Sequence, residues 1–153
     1  MKSIFVVLTT LLPLIAFGQA ENIFLDRDFW KSSPGVATVK QKIEEGNDPV
    51  ALNGNAFDAI CYAILEDTPL ETMEYLLSLP GNGVDKVTHD GRSYLLWAGY
   101  KGNIPLVKLL VKLGSDVNLV DDHGYNLMAF SAVGGQQNPK YYDVILANGA
   151  KIS

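Results

Sequence analysis

The feature that most constrains the fold is an internal repeat with a period of 33 residues. Such a period is typical of stacked units of supersecondary structure, because one unit cannot bury its apolar face alone. The sequence therefore predicts an array of neighbouring units. The matches at this spacing join Gly91 with Gly124, Ala98 with Ser131, Leu109 with Leu76, Leu110 with Leu77, Gly114 with Gly81 and Val117 with Val84.

The first and last units are two residues longer than the middle one. Gly46 and Gly81 are 35 residues apart, as are Gly114 and Gly149. The additional residues fall at 65–72 and 134–142, between the two helices that we predict in each unit. Insertions confined to turns are what a stacked helical array tolerates.

Each unit has the same local pattern. In the middle unit a turn containing Asp90-Gly91 precedes a short apolar helix around Leu95–Ala98, and Gly102-Asn103 interrupts the helical pattern. A second apolar helix follows and ends at Gly114, as expected for a glycine in the left-handed conformation after a helix. The pattern predicts an all-α fold of helix pairs joined by hairpin-like loops.

This pattern resembles the ankyrin repeat over residues 47–153, with about three full repeats. The segment 107–118, VKLLVKLGSDVN, is similar to the family's V-x-x-L-L-x-x-G-A-D-V-N. The repeats depart from the family's Thr-Pro-Leu-His-x-Ala signature, since none keeps the Thr-Pro start or the His. We expect Ser93, Asp58 and Asn126 to cap the first helices instead.

Residues 21–46 look like a degenerate N-terminal capping repeat. Ser33-Pro34 are predicted as the N-cap and first residue of a half-polar helix that ends at Gly46. A helix with one polar face suits the end of a stack, where one side meets water. Phe24, Phe29 and Trp30 are predicted to pack over the first repeat.

Residues 1–20 have the pattern of a secretory signal peptide. Lys2 provides the positive start, Ile4 to Phe17 the apolar stretch, and Gly18-Gln19-Ala20 the small residues of a cleavage site before Glu21. The apolar stretch is shorter than the roughly 20 residues that span a bilayer. We therefore expect an exported protein, periplasmic or secreted, without stable membrane insertion after cleavage.

Composition excludes several classes of function. The chain has 12 basic and 17 acidic residues and a formal net charge of -5, which argues against nucleic acid as a partner. A single cysteine rules out an intrachain disulfide framework and multi-cysteine zinc sites, and Cys61 is predicted to be a buried apolar residue. We expect no cofactor and no enzymatic activity.

The resemblance implies a protein-binding module, whose concave side is built from loop tips and the exposed side of the first helices. The partner is a protein of unknown identity. The plain alternative is that these positions are ordinary solvated residues. The family's exposed positions fall here on Phe57, Leu65, Glu66, His89, Arg92, Tyr100, Lys101, Asp122, Tyr125 and Val133.

Two other functions remain open from the sequence. His89 and His123 occupy neighbouring loop tips beside aspartates, so a metal-dependent hydrolytic site is an alternative. The chain is alternatively a structural fragment of a longer array. The last repeat has an apolar second helix where a terminal repeat normally shows a polar face, so its surface is expected to be covered by further repeats, a partner or a second copy.

Overall fold

In a computed structural model, residues 21–152 form an all-α array, as the sequence pattern predicts. The signal peptide predicted for residues 1–20 lies outside this described range. Short 3-10 helices lie at Ile23–Leu25 and His89–Gly91. The α-helices of the described part are α1 (Arg27–Lys31), α2 (Val36–Glu44), α3 (Ala59–Leu65), α4 (Leu70–Leu77), α5 (Tyr94–Lys101), α6 (Ile104–Lys112), α7 (Leu127–Val133) and α8 (Pro139–Ala147).

Three helix pairs correspond to the three predicted repeats: α3 with α4, α5 with α6, and α7 with α8. The turn inside the middle pair has two residues, 102–103, whereas those of the outer pairs have four, 66–69, and five, 134–138. In the last repeat the additional residues therefore lie between the two helices, as the sequence predicts, whereas in the first repeat one of the two lies there and the other lies after Leu76, before Gly81. No helix among the described residues is long and apolar enough to cross a bilayer.

The core runs through the stack from repeat to repeat. Helix α5 packs between α3 and α7, while α6 packs against α8 and α2 against α4. In α5 every residue from Tyr94 to Gly99 is buried, because both of its sides meet a neighbouring repeat. Gly99 faces Leu127 and Ser131 of α7 so closely that a Cβ there would collide with both side chains.

The N-terminal end of the stack is covered by α1, α2 and the preceding 3-10 helix. Phe24, Trp30 and Val39 are completely buried. The indole Nε1 of Trp30 donates to the carbonyl of Phe24 at 2.9 Å, so its polar atom has a partner. Phe29 contacts Trp30 edge-on, with ring centroids 5.0 Å apart. These contacts pack Phe24, Phe29 and Trp30 together at this end of the stack.

The predicted start of α2 is wrong by two residues. Gly35 is the N-cap and Val36 the first helical residue. Ser33 instead adopts a left-handed conformation with φ 51° and donates its backbone N–H to the Trp30 carbonyl, so it terminates α1. Pro34 precedes the cap, and its carbonyl accepts a hydrogen bond from Thr72 Oγ1.

Two of the three predicted helix caps form. Asp58 accepts from the backbone N–H of Cys61, and Asn126 from that of Ala129, both at 2.9 Å. The Ser93 side chain makes no capping hydrogen bond, which corrects the third prediction. Its position is buried where α5 is enclosed on both sides, and the Ser93 hydroxyl has no partner.

The second helices are related by a different register from the one predicted. Leu110 is fully buried and so is Leu76, whereas Leu77 is only half-buried. Leu76 is therefore the structural equivalent of Leu110, and the proposed match of Leu110 with Leu77 is wrong. The cause lies at Pro80, which stops α4 early, because proline removes a backbone donor and restricts the residue before it.

The C-terminal end of the stack is open. The side of α7 that faces away from α5 lines a groove of about 440 Å³. Ile152 is 79% exposed and Val120 55% exposed at its edge. The apolar surface of the last repeat therefore lies mainly on its first helix, α7, and not on the second helix as predicted, because Tyr141 and Ile145 of α8 are buried. The groove is lined by Val120, Gly124, Asn126, Met128, Ala129, Ala132, Tyr142 and Ile152.

Candidate interaction surface

Backbone hydrogen bonds fix the loop tips of neighbouring repeats to one another. The N–H of His89 donates to the carbonyl of Ala56 at 2.9 Å, and the N–H of Asp122 donates to that of Asp90 at 3.0 Å. Asp90 has φ 57° and Gly91 has φ 73°, so the tip is a tight left-handed turn. These bonds hold the three loops in one continuous row.

A continuous set of aromatic rings runs along the first helices and the loops that precede them. We call it the aromatic face. Tyr62, Trp97 and Phe130 occupy equivalent positions on α3, α5 and α7, and Trp97 lies 5.5 Å from Phe130 between ring centroids. Further rings join these in contacts of 5.2–6.4 Å. The aromatic face comprises Phe57, Tyr62, Trp97, Tyr100, Tyr125 and Phe130.

The solvent-exposed part of the aromatic face comes from the rings at its edges and not from those at its centre. Trp97 and Phe130 are each 5% exposed, which agrees with their interpretation as core residues. Tyr125 is 39% exposed, while Phe57 and Tyr100 are half-buried. The solvent therefore meets the tyrosine rings at the edges of a buried aromatic row.

Arg92 is buried, which corrects its prediction as a freely exposed binding residue. It is only 7% exposed, and its guanidinium lies 4.3 Å from the ring centroid of Phe130 and 5.2 Å from that of Trp97. Its Nε donates to Asp121 Oδ2 at 2.8 Å and its Nη1 to Asp90 Oδ2 at 2.9 Å. Arg92 thus joins the second repeat to the third.

The carboxylates around Arg92 stay ionised. Burial raises the pKa of Asp121, but hydrogen bonds from the Tyr125 backbone and from Arg92 outweigh it, and the pKa lies below its ordinary value. Burial likewise raises the pKa of Asp90, while a hydrogen bond from His123 and the charges of His89 and Arg92 lower it by more. Both aspartates therefore carry negative charge at neutral pH.

Several of the other predicted binding residues are paired within the chain. Lys101 Nζ lies 2.8 Å from Asp67 Oδ2 and donates to the carbonyl of Leu65 at 2.9 Å. Glu66 pairs with Arg27 of the N-terminal cap. The His89 ring stacks on Phe57 at 4.5 Å, which brings two predicted residues together. Asp122 and Val133 are exposed.

Asp121 was missed as a determinant of this surface. Its carboxylate accepts from Arg92 and from the backbone N–H groups of His123 and Tyr125, so it organises the third loop. The sequence signal for it is weak, because aspartate is an ordinary turn residue. Its ion-pair partner, Arg92, lies 29 residues away along the chain, so the pair is not visible as a local motif.

The predicted histidine pair does meet, at Asp90. Nε2 of His89 lies 3.3 Å and Nε2 of His123 3.2 Å from Asp90 Oδ2. The same oxygen also accepts from the Arg92 guanidinium, which opposes a cation there. Within residues 21–152, no group of three or more His, Cys, Asp and Glu side chains is arranged to hold a metal ion. Metal-dependent hydrolysis therefore has no geometric support in that range.

Cys61 is a core residue, as expected. Its side chain is completely buried, and burial, reinforced by the charge of Asp58, raises the pKa of its thiol well above the ordinary value. A thiol with a raised pKa is a poor nucleophile, because the thiolate is the reactive form. The position supports a packing role for Cys61.

Stacked helix pairs, loops tied tip to tip and a continuous side-chain face define a helical repeat protein of the kind that presents a preformed surface. The sequence profile described as ankyrin repeats (3 copies) matches residues 35–153. The chain belongs to the ankyrin repeat family, whose repeats are typical protein-interaction modules and whose fold is generally non-enzymatic.

Curated relatives share the repeat region. The chain is 36% identical over 61 residues to the human Notch-regulated ankyrin repeat-containing protein, covering 40% of this chain and 54% of that protein. It is 28% identical over 93 residues, 58% of this chain, to a probable palmitoyltransferase of Saccharomyces uvarum. That match spans only 13% of the palmitoyltransferase, so the similarity concerns a part of it.

Proposed function

We propose that this chain is an exported protein-binding module and that the aromatic face, with the loop tips beside it, binds a protein partner. The observation that supports the proposal is that Tyr125 is exposed and Tyr100 partly exposed at the edges of a rigid aromatic row. Tyrosine is enriched among the residues that dominate binding energy, because it combines a large contact area with a directed hydrogen bond. A face already fixed by inter-repeat bonds loses little entropy on binding.

Binding is tested by capturing partners from an envelope extract with three forms of the purified protein. These are the wild type, the Tyr100→Ala/Tyr125→Ala double variant and Tyr75→Ala. Tyr75 is a matched control, since it lies on α4 and contacts Lys40 rather than the aromatic face. We expect the double variant to weaken the captured partner by about 1–2 kcal/mol or more and the control to bind as wild type. Equal binding by all three forms would exclude this face.

Export is the second part of the proposal, and it rests on the signal-like pattern of residues 1–20. Cleavage after Ala20 gives a mature protein that begins at Glu21. The test is the intact mass of the protein recovered from the periplasm and from the medium. A species that retains Met1 and fractionates with membranes would contradict export by cleavage.

A further inference from the structure

The aromatic face is also an acidic face. Along it lie the carboxylates Glu66, Asp67, Asp90, Asp121 and Asp122, against the three cations Arg27, Lys101 and Arg92. Each of these cations already pairs with a carboxylate of the chain: Arg27 with Glu66, Lys101 with Asp67, and Arg92 with Asp90 and Asp121. These pairs engage four of the five carboxylates, and the His89 and His123 rings also lie within 3.3 Å of Asp90. The excess negative charge of the face is therefore centred on the loop tips, where Arg92 faces two aspartates and the exposed Asp122 lies outside these pairs.

The structure contains an example of how this face holds a cation. The guanidinium of Arg92 lies over the rings of Phe130 and Trp97 while its N–H groups bond to Asp90 and Asp121. Ring faces carry partial negative charge, so a cation over them is attracted electrostatically. Next to this cation the half-buried ring of Tyr100 and the exposed ring of Tyr125 flank Phe130, at 5.2 and 6.3 Å between centroids.

The face has room for an extended chain at its N-terminal end. A groove of about 390 Å³ adjoins Tyr62, the first ring of the aromatic face. Its lining includes Glu21, Asp26 and Arg27, and Arg27 is paired with Glu66. In a mature chain that begins at Glu21 the terminal amino group also lies here, so the groove offers space rather than an excess of negative charge.

We propose that the aromatic face binds an extended protein segment whose arginine or lysine side chains stack on Tyr100 and Tyr125 and pair with the carboxylates of the loops. This rests on the proposed function and adds the chemistry of the partner. A basic segment complements the charge of the face, and its cationic side chains repeat the contacts that Arg92 makes internally. A segment rich in carboxylates would meet like charges and be rejected.

The test uses two synthetic seven-residue peptides that differ only at two positions, arginine in one and the neutral isostere citrulline in the other. Binding to the full mature chain is measured by titration calorimetry at low and at physiological ionic strength. We expect the arginine peptide to bind and the affinity of the citrulline peptide to be lower by about fivefold or more. The affinity of the arginine peptide should fall as the salt concentration rises.

Variants locate the binding. Tyr100→Ala/Tyr125→Ala is expected to lose about fivefold or more in affinity for the arginine peptide, whereas Tyr75→Ala retains it. Circular dichroism checks that each variant is folded. Asp122→Asn gives an independent reading that leaves every ring in place, since Asp122 is exposed and its loss removes charge only. Its matched control is Glu74→Gln, an exposed carboxylate on α4.

The inference is overturned if the arginine peptide does not bind, if citrulline binds equally well, or if the α4 controls weaken binding as much as the face variants. The last result would indicate attraction to the net charge of the chain. Partner capture distinguishes this failure from failure of the proposed function. If a captured protein depends on Tyr100 and Tyr125 but the peptides show no preference for arginine, the proposed binding face is supported and the proposal of a basic partner is rejected.

Discussion

The two ends of the stack are built in opposite ways. At the N-terminal end, Phe24, Trp30 and Val39 are completely buried beneath two short helices. At the C-terminal end, Met128, Ala132 and Ile152 line an open groove, and nothing in the described part of the chain covers it. The repeats share one plan, so the difference lies in the segments packed outside them: α1, α2 and the preceding 3-10 helix cover the first repeat, and no described segment covers the groove on α7.

The largest effect is expected at the closed end. Trp30→Ala removes a fully buried indole and its hydrogen bond to Phe24, and should lower the free energy of unfolding by about 3–5 kcal/mol. Met128→Ala at the open end should cost less than about 1 kcal/mol, because its side chain is half-exposed and little cavity forms. Chemical denaturation measures both, and equal losses would contradict the comparison.

Next in size are the second helices. Leu110→Ala and Leu76→Ala should each cost about 2–5 kcal/mol, from lost burial plus a cavity. Leu77→Ala should cost clearly less than Leu76→Ala, since Leu77 is half-buried. The three variants are compared by urea unfolding. A larger loss for Leu77 than for Leu76 would restore the register predicted from the sequence.

Arg92→Ala should destabilise the protein by about 2–4 kcal/mol, because it leaves the buried carboxylate of Asp121 without its ion partner. The substitution also removes the ion pair between Arg92 of the second repeat and Asp121 of the third. Amide hydrogen exchange should therefore show α7 and α8 losing protection before α1 to α3. Arg27→Ala is the control, since Arg27 is exposed and its surface pair contributes about 0–1 kcal/mol. Uniform loss of protection would contradict a separate weakening of the open end.

Acid should weaken the same link. The pKa values of Asp90 and Asp121 are lowered in the folded protein, so their stabilising contribution is complete above the unfolded pKa of about 3.9 and is lost as pH falls through the folded values. The Asp90→Asn variant, which tolerates the left-handed φ, should lose less stability below about pH 4 than wild type. Thermal unfolding between neutral pH and acid measures this, and identical acid sensitivity would contradict it.

The smallest effect on stability is expected from a polar substitution in the open groove. Ala132→Glu lies on the exposed side of α7 and should change the free energy of unfolding by no more than about 0.5 kcal/mol. It should nevertheless reduce self-association, measured by light scattering at high protein concentration. A wild type that remains strictly monomeric under those conditions would show that the open end does not self-associate.

The repeat architecture was predictable because it is local and repeated. The period, the order of helices and the left-handed glycines after α4, α6 and α8 all follow from patterns within one repeat. The start of α2 was misassigned because Ser33-Pro34 fits a cap equally well, while the end of α1 also requires a left-handed residue there. The one-residue shift in helix register at Pro80 could not be seen in the sequence, because Gly81 and Gly114 match at the 33-residue period.

The binding surface was harder to predict because it depends on contacts between repeats. The equivalent positions 57, 92 and 125 all contact rings of the aromatic face, yet they hold Phe, Arg and Tyr in different environments. Arg92 is buried only because Asp121 and Phe130 of the next repeat enclose it. Exposure at such a position cannot be taken from the repeat pattern, since the neighbouring repeat decides it.

The placement of Arg92 also has a consequence for how such a chain can evolve. Its side chain supports the fold and contributes to the charge of the surface. A substitution that changed recognition at this position would therefore first have to preserve folding. Tyr125 occupies the equivalent position in the next repeat, but it is 39% exposed and so is less constrained by folding. We expect position 92 to change slowly and in concert with position 121, while position 125 diverges freely and carries new specificities.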